Sequence, residues 1–240
     1  MNEPEDLPPL IRETVLALAD DEMCTGHRHA EWIGRGPFLE EDLALTSIAQ
    51  DELGHAVALY GFLTDDVDAF ALRRPASEFR SAHLVELRLD DWGDHLVRHL
   101  LYDGAERLRW TALAEGPAPV LAGLAKRVLA EETYHLDHAV AMVRRLLEGT
   151  AESRQRVLAG LRRLLPMVPE LFEGGPDDVA ATQYRRWRQD LDAALAGLDV
   201  TLEAARPAPG GGRRGVRSAD FEQMRADMTE VLRLDLGAAW

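Results

Sequence analysis

Leu39 to Leu63 reads LEEDLALTSIAQDELGHAVALYGFL and contains Glu52-Leu53-Gly54-His55. A second stretch, Pro117 to Glu148, contains Glu132-Thr133-Tyr134-His135. Both have a helical period and no strand-like alternation. Leu45, Ile48, Leu59 and Phe62 mark the apolar stripe of the first, and Leu121, Val128, Ala139 and Met142 that of the second. A carboxylate and an imidazole three residues apart leave a helix from one face. Composition by itself produces such pairs by chance, and a bare Glu-x-x-His most often lies on a solvated face. Phase points the other way here. In each stretch the pair fills the missing steps of the apolar stripe, so both pairs are expected to face the core.

The neighbouring stretches repeat the pattern. A first helix over about Pro8 to Ile33 carries Ile11, Val15, Leu18, then Glu22, then Thr25, His29 and Ile33. Gly34-Arg35-Gly36-Pro37 ends it. A third helix over about Asp91 to Glu115 puts Asp103 in register with Leu96, Leu100 and Trp110. Glu22 precedes Glu52 by 30 residues and Asp103 precedes Glu132 by 29. Each half therefore reads as a helical hairpin carrying one carboxylate, then a carboxylate and a histidine. Short links join helices one to two and three to four. A long crossover, with a short helical piece at Asp65 to Leu72 and irregular chain over 75–90, joins two to three. That connectivity predicts an all-α, ferritin-like four-helix bundle.

Additional C-terminal helices are expected at Ala151 to Phe172, Asp177 to Ala205 and Ser218 to Leu234, the last with Ser218 as N-cap. Between the last two, Pro207 to Gly215 (PAPGGGRRG) reads as part of a flexible loop over 207–217. The whole chain, 1–240, is expected to form a single domain, with its core bundle at about 8–148.

Two such hairpins supply Glu22, Glu52, His55, Asp103, Glu132 and His135 as candidate metal ligands, the inventory of a di-iron or di-manganese carboxylate site. Four carboxylates inside a bundle would each lose hydration at a cost of several kcal/mol. Two divalent cations offset that charge, and hard oxygen and imidazole donors suit two iron ions, with manganese as the alternative. The rival reading is a buried polar network with arginine partners. His27, His29 and His138 are candidates to orient ligands, though packing or surface roles are the plainer expectation. Tyr134 is expected to pack in the core. The pairs Arg73-Arg74, Arg144-Arg145 and Arg213-Arg214 are expected at the surface, with phosphate binding as the other reading.

Bulk properties narrow the class. The chain has 240 residues, 46% hydrophobic and 29% charged, with a formal net charge of −15. That charge disfavours nucleic acid and acidic membrane surfaces. No apolar run approaches the roughly 18 residues that a membrane span needs. Met1 to Pro9 is acidic and proline-rich, unlike a signal peptide. A single cysteine, Cys24, excludes an internal disulfide and fits a reducing compartment. The expectation is a cytoplasmic protein without nucleic-acid or membrane partners.

Longer stretches carry a resemblance. They are Leu16 to Glu22, Gly26-His27-Arg28, and Glu31-Trp32 through Gly36-Pro37-Phe38-Leu39-Glu40-Glu41-Asp42. Further on come Glu78-Phe79-Arg80, His95-Leu96-Val97-Arg98, Leu101-Tyr102-Asp103, Tyr134-His135-Leu136, the Gly210 to Arg217 segment and Trp240. Together they resemble the ferritin-like subunits of the bacterial phenylacetyl-CoA ring-1,2-epoxidase, the phenylacetic acid catabolism family. The resemblance implies a di-iron monooxygenase complex in which a catalytic A-type bundle pairs with a homologous C-type bundle regarded as structural. A separate reductase supplies electrons, and a CoA thioester is the substrate. The wording here is similar to the C-type chain. The ligand positions of the catalytic type are nonetheless matched by Glu22, Glu52, His55, Asp103, Glu132 and His135. Three readings stand: a subunit with its own di-iron centre, a non-catalytic subunit pairing with a catalytic homologue, and a stand-alone di-metal oxidase. Association with the homologous subunit, or with further copies of itself, follows from the resemblance.

Overall fold

The computed structural model describes residues 7–202 and 206–234. Trp240, and the part of the expected 177–205 helix that falls on 203–205, lie outside the described residues. Among the described residues there is no strand, and the elements are those of an all-α, ferritin-like bundle. The helices are α1 (Pro9–Ala30), α2 (Leu39–Tyr60), α3 (Val67–Arg73), α4 (His83–Glu86), α5 (Trp92–Ala114), α6 (Pro119–Glu148), α7 (Ala151–Leu164), α8 (Asp177–Ala194), α9 (Phe221–Met228) and α10 (Glu230–Leu234). No described helix is long and apolar enough to cross a membrane.

Local chemistry sets several of the starts. Asp91 caps α5 by accepting from the Gly93 and Asp94 amides, and Thr150 caps α7 through the Ser153 amide. Pro119 opens α6, where its missing N–H costs nothing. Glu40, Glu41 and Asp42 sit in the first turn of α2, at the positive end of the helix dipole.

The chain forms two compact units. Of the described residues, one unit contains Val15–Arg88 and 211–234, and the other contains 7–14, 89–202 and 206–210. In the second unit α5 packs along α6, and α7, α8 and a 3-10 stretch at Leu165–Phe172 also pack against α5. Leu96, Leu100 and Trp110 of α5, Val128 and Ala139 of α6, Val157 and Leu161 of α7 and Trp187 of α8 are buried there. Trp187 donates its indole N–H to Leu101 O at 3.1 Å. Gly104 leaves room for it, because a Cβ at that position would lie 3.2 Å from the indole nitrogen.

Three sequence expectations need correction. The expected 151–172 helix is α-helical only to Leu164, because Pro166 and Pro169 cannot donate to the helical ladder and the backbone tightens into 3-10 turns. The helix expected to reach Ala205 stops at Ala194 and passes into a turn, with Gly197 at φ 82° and Asp199 at φ 50°. Arginines from other helices fix that end: Arg144 donates to Ala194 O and Ala196 O, and Arg154 to Leu198 O and Asp199 O. Ser218 does not cap the C-terminal helix, which begins at Phe221 and is broken at Thr229; the Ser218 amide donates to Glu86 instead.

The glycine-rich segment is held in place. In the second unit the Ala208 amide bonds Pro166 O at 2.8 Å. In the first unit a 3-10 turn at Gly212–Arg214 lies against the crossover chain. A Cβ on Gly212 would fall 2.1 Å from Ser81 O, and one on Gly215, at φ 81°, 2.2 Å from Ser77 O. Only glycine permits these approaches.

Candidate metal centre

In the first unit, Glu22 of α1 and Glu52 of α2 are fully buried and His55 nearly so. These residues lie among Val15, Leu18, Leu45, Ile48 and Leu59, the buried stripes of the two helices, as the phase of the sequence requires. Gly26, one turn beyond Glu22, lets the helices approach. A Cβ there would meet Leu53 Cγ at 2.9 Å and both Ala49 O and Glu52 Cβ at 3.1 Å. His55 Nδ1 lies 3.4 Å from Glu22 Oε2.

Asp20, Asp21 and Glu22 are three successive carboxylates, all buried. Asp20 and Asp21 have partners from distant segments. Asp20 accepts from Tyr60 OH at 2.6 Å, Arg74 Nη2 at 2.5 Å and the Arg80 amide at 2.6 Å. Burial pushes its carboxyl upward from the usual range, against the pull of Arg74 and Tyr60. Asp21 accepts from Arg213 Nη1 at 2.9 Å, Arg213 Nη2 at 2.7 Å and the Ala82 amide at 2.8 Å. Glu86, also buried, takes Arg217 at 2.5 Å, Ser81 Oγ at 2.7 Å and the Ser218 amide at 2.7 Å. Arg74 is further sandwiched over the rings of Phe70 and Phe79, at 4.2 and 4.1 Å. A buried network with arginine partners therefore exists, and it includes Asp20, Asp21 and Glu86. Arg74 and Arg213, expected at the surface, are buried members of it.

In the second unit, His95, His99, Asp103, Glu106 and Trp110 follow one another down the buried side of α5. His99 Nε2 sits 2.7 Å from Asp103 Oδ2. Burial, reinforced by the Arg98 charge, lowers the His99 pKa to about 3. Glu106 Oε1 accepts from Trp110 Nε1 at 3.3 Å and Tyr102 OH at 3.4 Å. On α6, Glu132 and His135 are fully buried, with His135 Nδ1 3.8 Å from Glu132 Oε1. Tyr134, expected in the core, is 53% exposed and stacks against His138.

Buried acidic and imidazole groups of this chain could hold a metal ion. Glu22, Glu52 and His55 in the first unit are candidate donors, as are Asp103, Glu106 and Glu132 in the second. All six expected ligands are buried, but His135 is not among the donors grouped for a metal within the described residues, and Glu106 is. As a candidate donor, Glu106 is absent from the sequence expectation although its signal is present. It stands one turn after Asp103 and one turn before Trp110, in the gap of the same apolar stripe. Carboxylate oxygen and imidazole nitrogen in a buried setting are the donor chemistry that iron or manganese accepts.

The family model described as Phenylacetic acid catabolic protein matches residues 2–240. The chain is also similar to the C subunit of the 1,2-phenylacetyl-CoA epoxidase of Escherichia coli (strain K12). The two are 28% identical over 242 residues, covering 94% of this chain and 97% of that protein.

Proposed function

From its membership of the phenylacetic acid catabolic protein family, to which this chain belongs, we propose that it is a subunit of a phenylacetyl-CoA epoxidase-type multicomponent monooxygenase carrying its own dinuclear metal centre. The observation that carries the reading is the complete burial of Glu22, Glu52, Asp103, Glu106 and Glu132, five carboxylates set beside buried imidazoles. Burying so many acids costs several kcal/mol apiece unless cations balance them. The proposed ligands are Glu22, Glu52, His55, Asp103, Glu132 and His135, with Glu106 as a further donor. Two iron ions are the proposed occupants, and manganese is the alternative.

Reduced iron in such a donor set supplies dioxygen activation. The chain's own residues supply orientation and exclusion of water. His99 fixes the carboxylate of Asp103, and the Arg213 pair with Asp21 fixes the backbone of α1 next to Glu22. A reductase and a CoA thioester substrate complete the proposal.

A homologous ferritin-like subunit is the proposed partner, since the similar protein is itself one subunit of an epoxidase. The outer face of α2 suits it. Leu39, Leu43, Leu53 and Val57 are exposed and fall on one stripe, opposite the buried face that holds Glu52 and His55. Glu40 and Asp42 flank the stripe, and the net charge of −15 opposes close packing of two copies of this chain, so a partner with a basic rim fits better.

A second reading is a non-catalytic subunit beside a catalytic homologue; it is favoured by the similarity to the C subunit of the bacterial epoxidase. Metal analysis separates the two. The purified protein loaded anaerobically with ferrous iron is expected to retain two equivalents, and Glu52→Ala with His135→Ala to lose them together with turnover of the reconstituted complex. Retention of full iron and full activity by that variant would remove the catalytic reading. An iron-free wild-type protein that still activates its partner would establish the second one.

A further inference from the structure

Within the first unit, the end of α1 and the helix α9 bring together a different set of donors. His27 lies in the last turn of α1, and Glu31 follows one turn later. His27 Nε2 is shielded from solvent, makes no hydrogen bond of ordinary length and stands 3.5 Å from Glu31 Oε1. Asp227, on α9, places a carboxylate oxygen so that the ligand atoms of all three residues lie within 4.8 Å of one another.

We propose that His27, Glu31 and Asp227 form a separate binding site for a single zinc-like divalent cation, which fastens α9 to the end of α1. The His27–Glu31 distance suits that ion, and the Asp227 oxygen lies within 4.8 Å of both. Donors about 2.0–2.1 Å from a tetrahedral zinc stand about 3.4 Å from each other. The His27–Glu31 separation of 3.5 Å is long for a hydrogen bond and matches two ligands of one ion. An imidazole four residues before a carboxylate chelates from a single helical turn, the spacing at which side chains meet.

Both carboxylates are already held by a neighbour on their own helix segment, and for Glu31 the oxygen held is the one that faces His27. Glu31 Oε1 accepts from Arg28 Nη1 at 2.6 Å, and Arg28 is itself buried. Asp227 Oδ1 accepts from Gln223 Nε2 at 2.8 Å, one turn back on α9. Such outer contacts hold ligands in one rotamer and lower the ordering cost of binding. One nitrogen and two carboxylates leave a coordination position for water. The mixed donor set selects a borderline transition metal over calcium or magnesium, which take oxygen. The Arg28 guanidinium beside Glu31 reduces the net negative charge, so the affinity expected is in the micromolar range and not that of a closed structural zinc site.

This site shares no residue with the centre proposed above, and its test is built to be independent of it. Zinc chloride is titrated calorimetrically into the full-length protein bearing Glu52→Ala and His55→Ala. One equivalent is expected to bind and to raise the melting temperature. Adding His27→Ala or Asp227→Asn is expected to weaken that binding at least tenfold and to abolish the thermal shift. Asp227 is exposed, so its substitution leaves the fold intact. Undiminished binding in the Asp227→Asn and His27→Ala proteins overturns the proposal, as does absence of zinc binding in the Glu52→Ala/His55→Ala parent.

Discussion

Arg213→Met is the perturbation from which most can be learned. Arg213 arrives from a segment that its composition marks as loop, and its side chain is 5% exposed against a fully buried Asp21. Both carboxylate oxygens of Asp21 accept from it, and it also donates to Ala17 O at 3.2 Å and Arg80 O at 2.5 Å. Methionine keeps the aliphatic bulk and removes the charge, leaving a buried carboxylate without its counter-ion. Breaking a buried pair from one side costs about 3–5 kcal/mol, a large part of the 5–15 kcal/mol typical of a folded domain. At this chain length each kcal/mol moves the melting temperature by about 2–4 °C. The expected fall is therefore about 6–20 °C in a calorimetric melt at neutral pH. Arg213→Met with Asp21→Asn removes the charge from both sides and is expected to recover much of the loss. A single variant that melts within about 3 °C of wild type would refute the reasoning. So would a double variant no better than the single one, because it would show that Asp21 does not depend on Arg213 for its charge.

Other outcomes follow from the same geometry. Gly212→Ala forces a Cβ onto Ser81 O at 2.1 Å and is expected to cost at least about 2 kcal/mol, read as a shift in urea midpoint; a neutral result would mean that the turn can move away from the crossover. Glu106→Ala is expected to reduce iron retention as severely as Asp103→Ala, measured by elemental analysis after gel filtration, and unchanged iron in Glu106→Ala would return that residue to a packing role with Trp110. Leu43→Glu with Val57→Glu changes two exposed positions of α2, so stability should stay within about 0.5 kcal/mol per site while co-purification with the homologous subunit falls; undiminished co-purification would place the partner elsewhere. Gly26→Ala pushes a methyl against Leu53 and Ala49 O and is expected to lower both stability and iron retention, whereas intact iron in a destabilised protein would separate helix spacing from ligand geometry.

Periodicity is enough to read the helices and their buried sides. An apolar side chain every three or four residues states which face meets the core, and that information is local. It places Glu52 with His55 and Glu132 with His135 inside from the order of residues alone, and it positions Glu22 and Asp103 on the same grounds. Proline and glycine speak as locally: Gly34 to Pro37 end the first helix, within three residues of the expected boundary. Glu106 is legible too, in the gap between Asp103 and Trp110, but Asp103 fills the same gap and a single carboxylate accounts for the pattern.

What the sequence could not state is the outcome of pairings between residues far apart in the chain. Gly197 is the only local mark near the end of α8; Arg144 and Arg154, forty or more residues away, hold that end by binding its last carbonyls and the turn beyond. Nothing near Asp20 and Asp21 names Arg74 and Arg213 as their counter-ions, and a run such as PAPGGGRRG has the composition of a flexible linker until Ser81 and Asp21 are set against it. Hydrophobic phase repeats along one helix and can be counted, whereas a charge finds its partner through space. The face that each proposed ligand takes is thus fixed by the order of residues, and the arginine framework that holds Asp20 and Asp21 beside Glu22 is decided only when distant segments fold together.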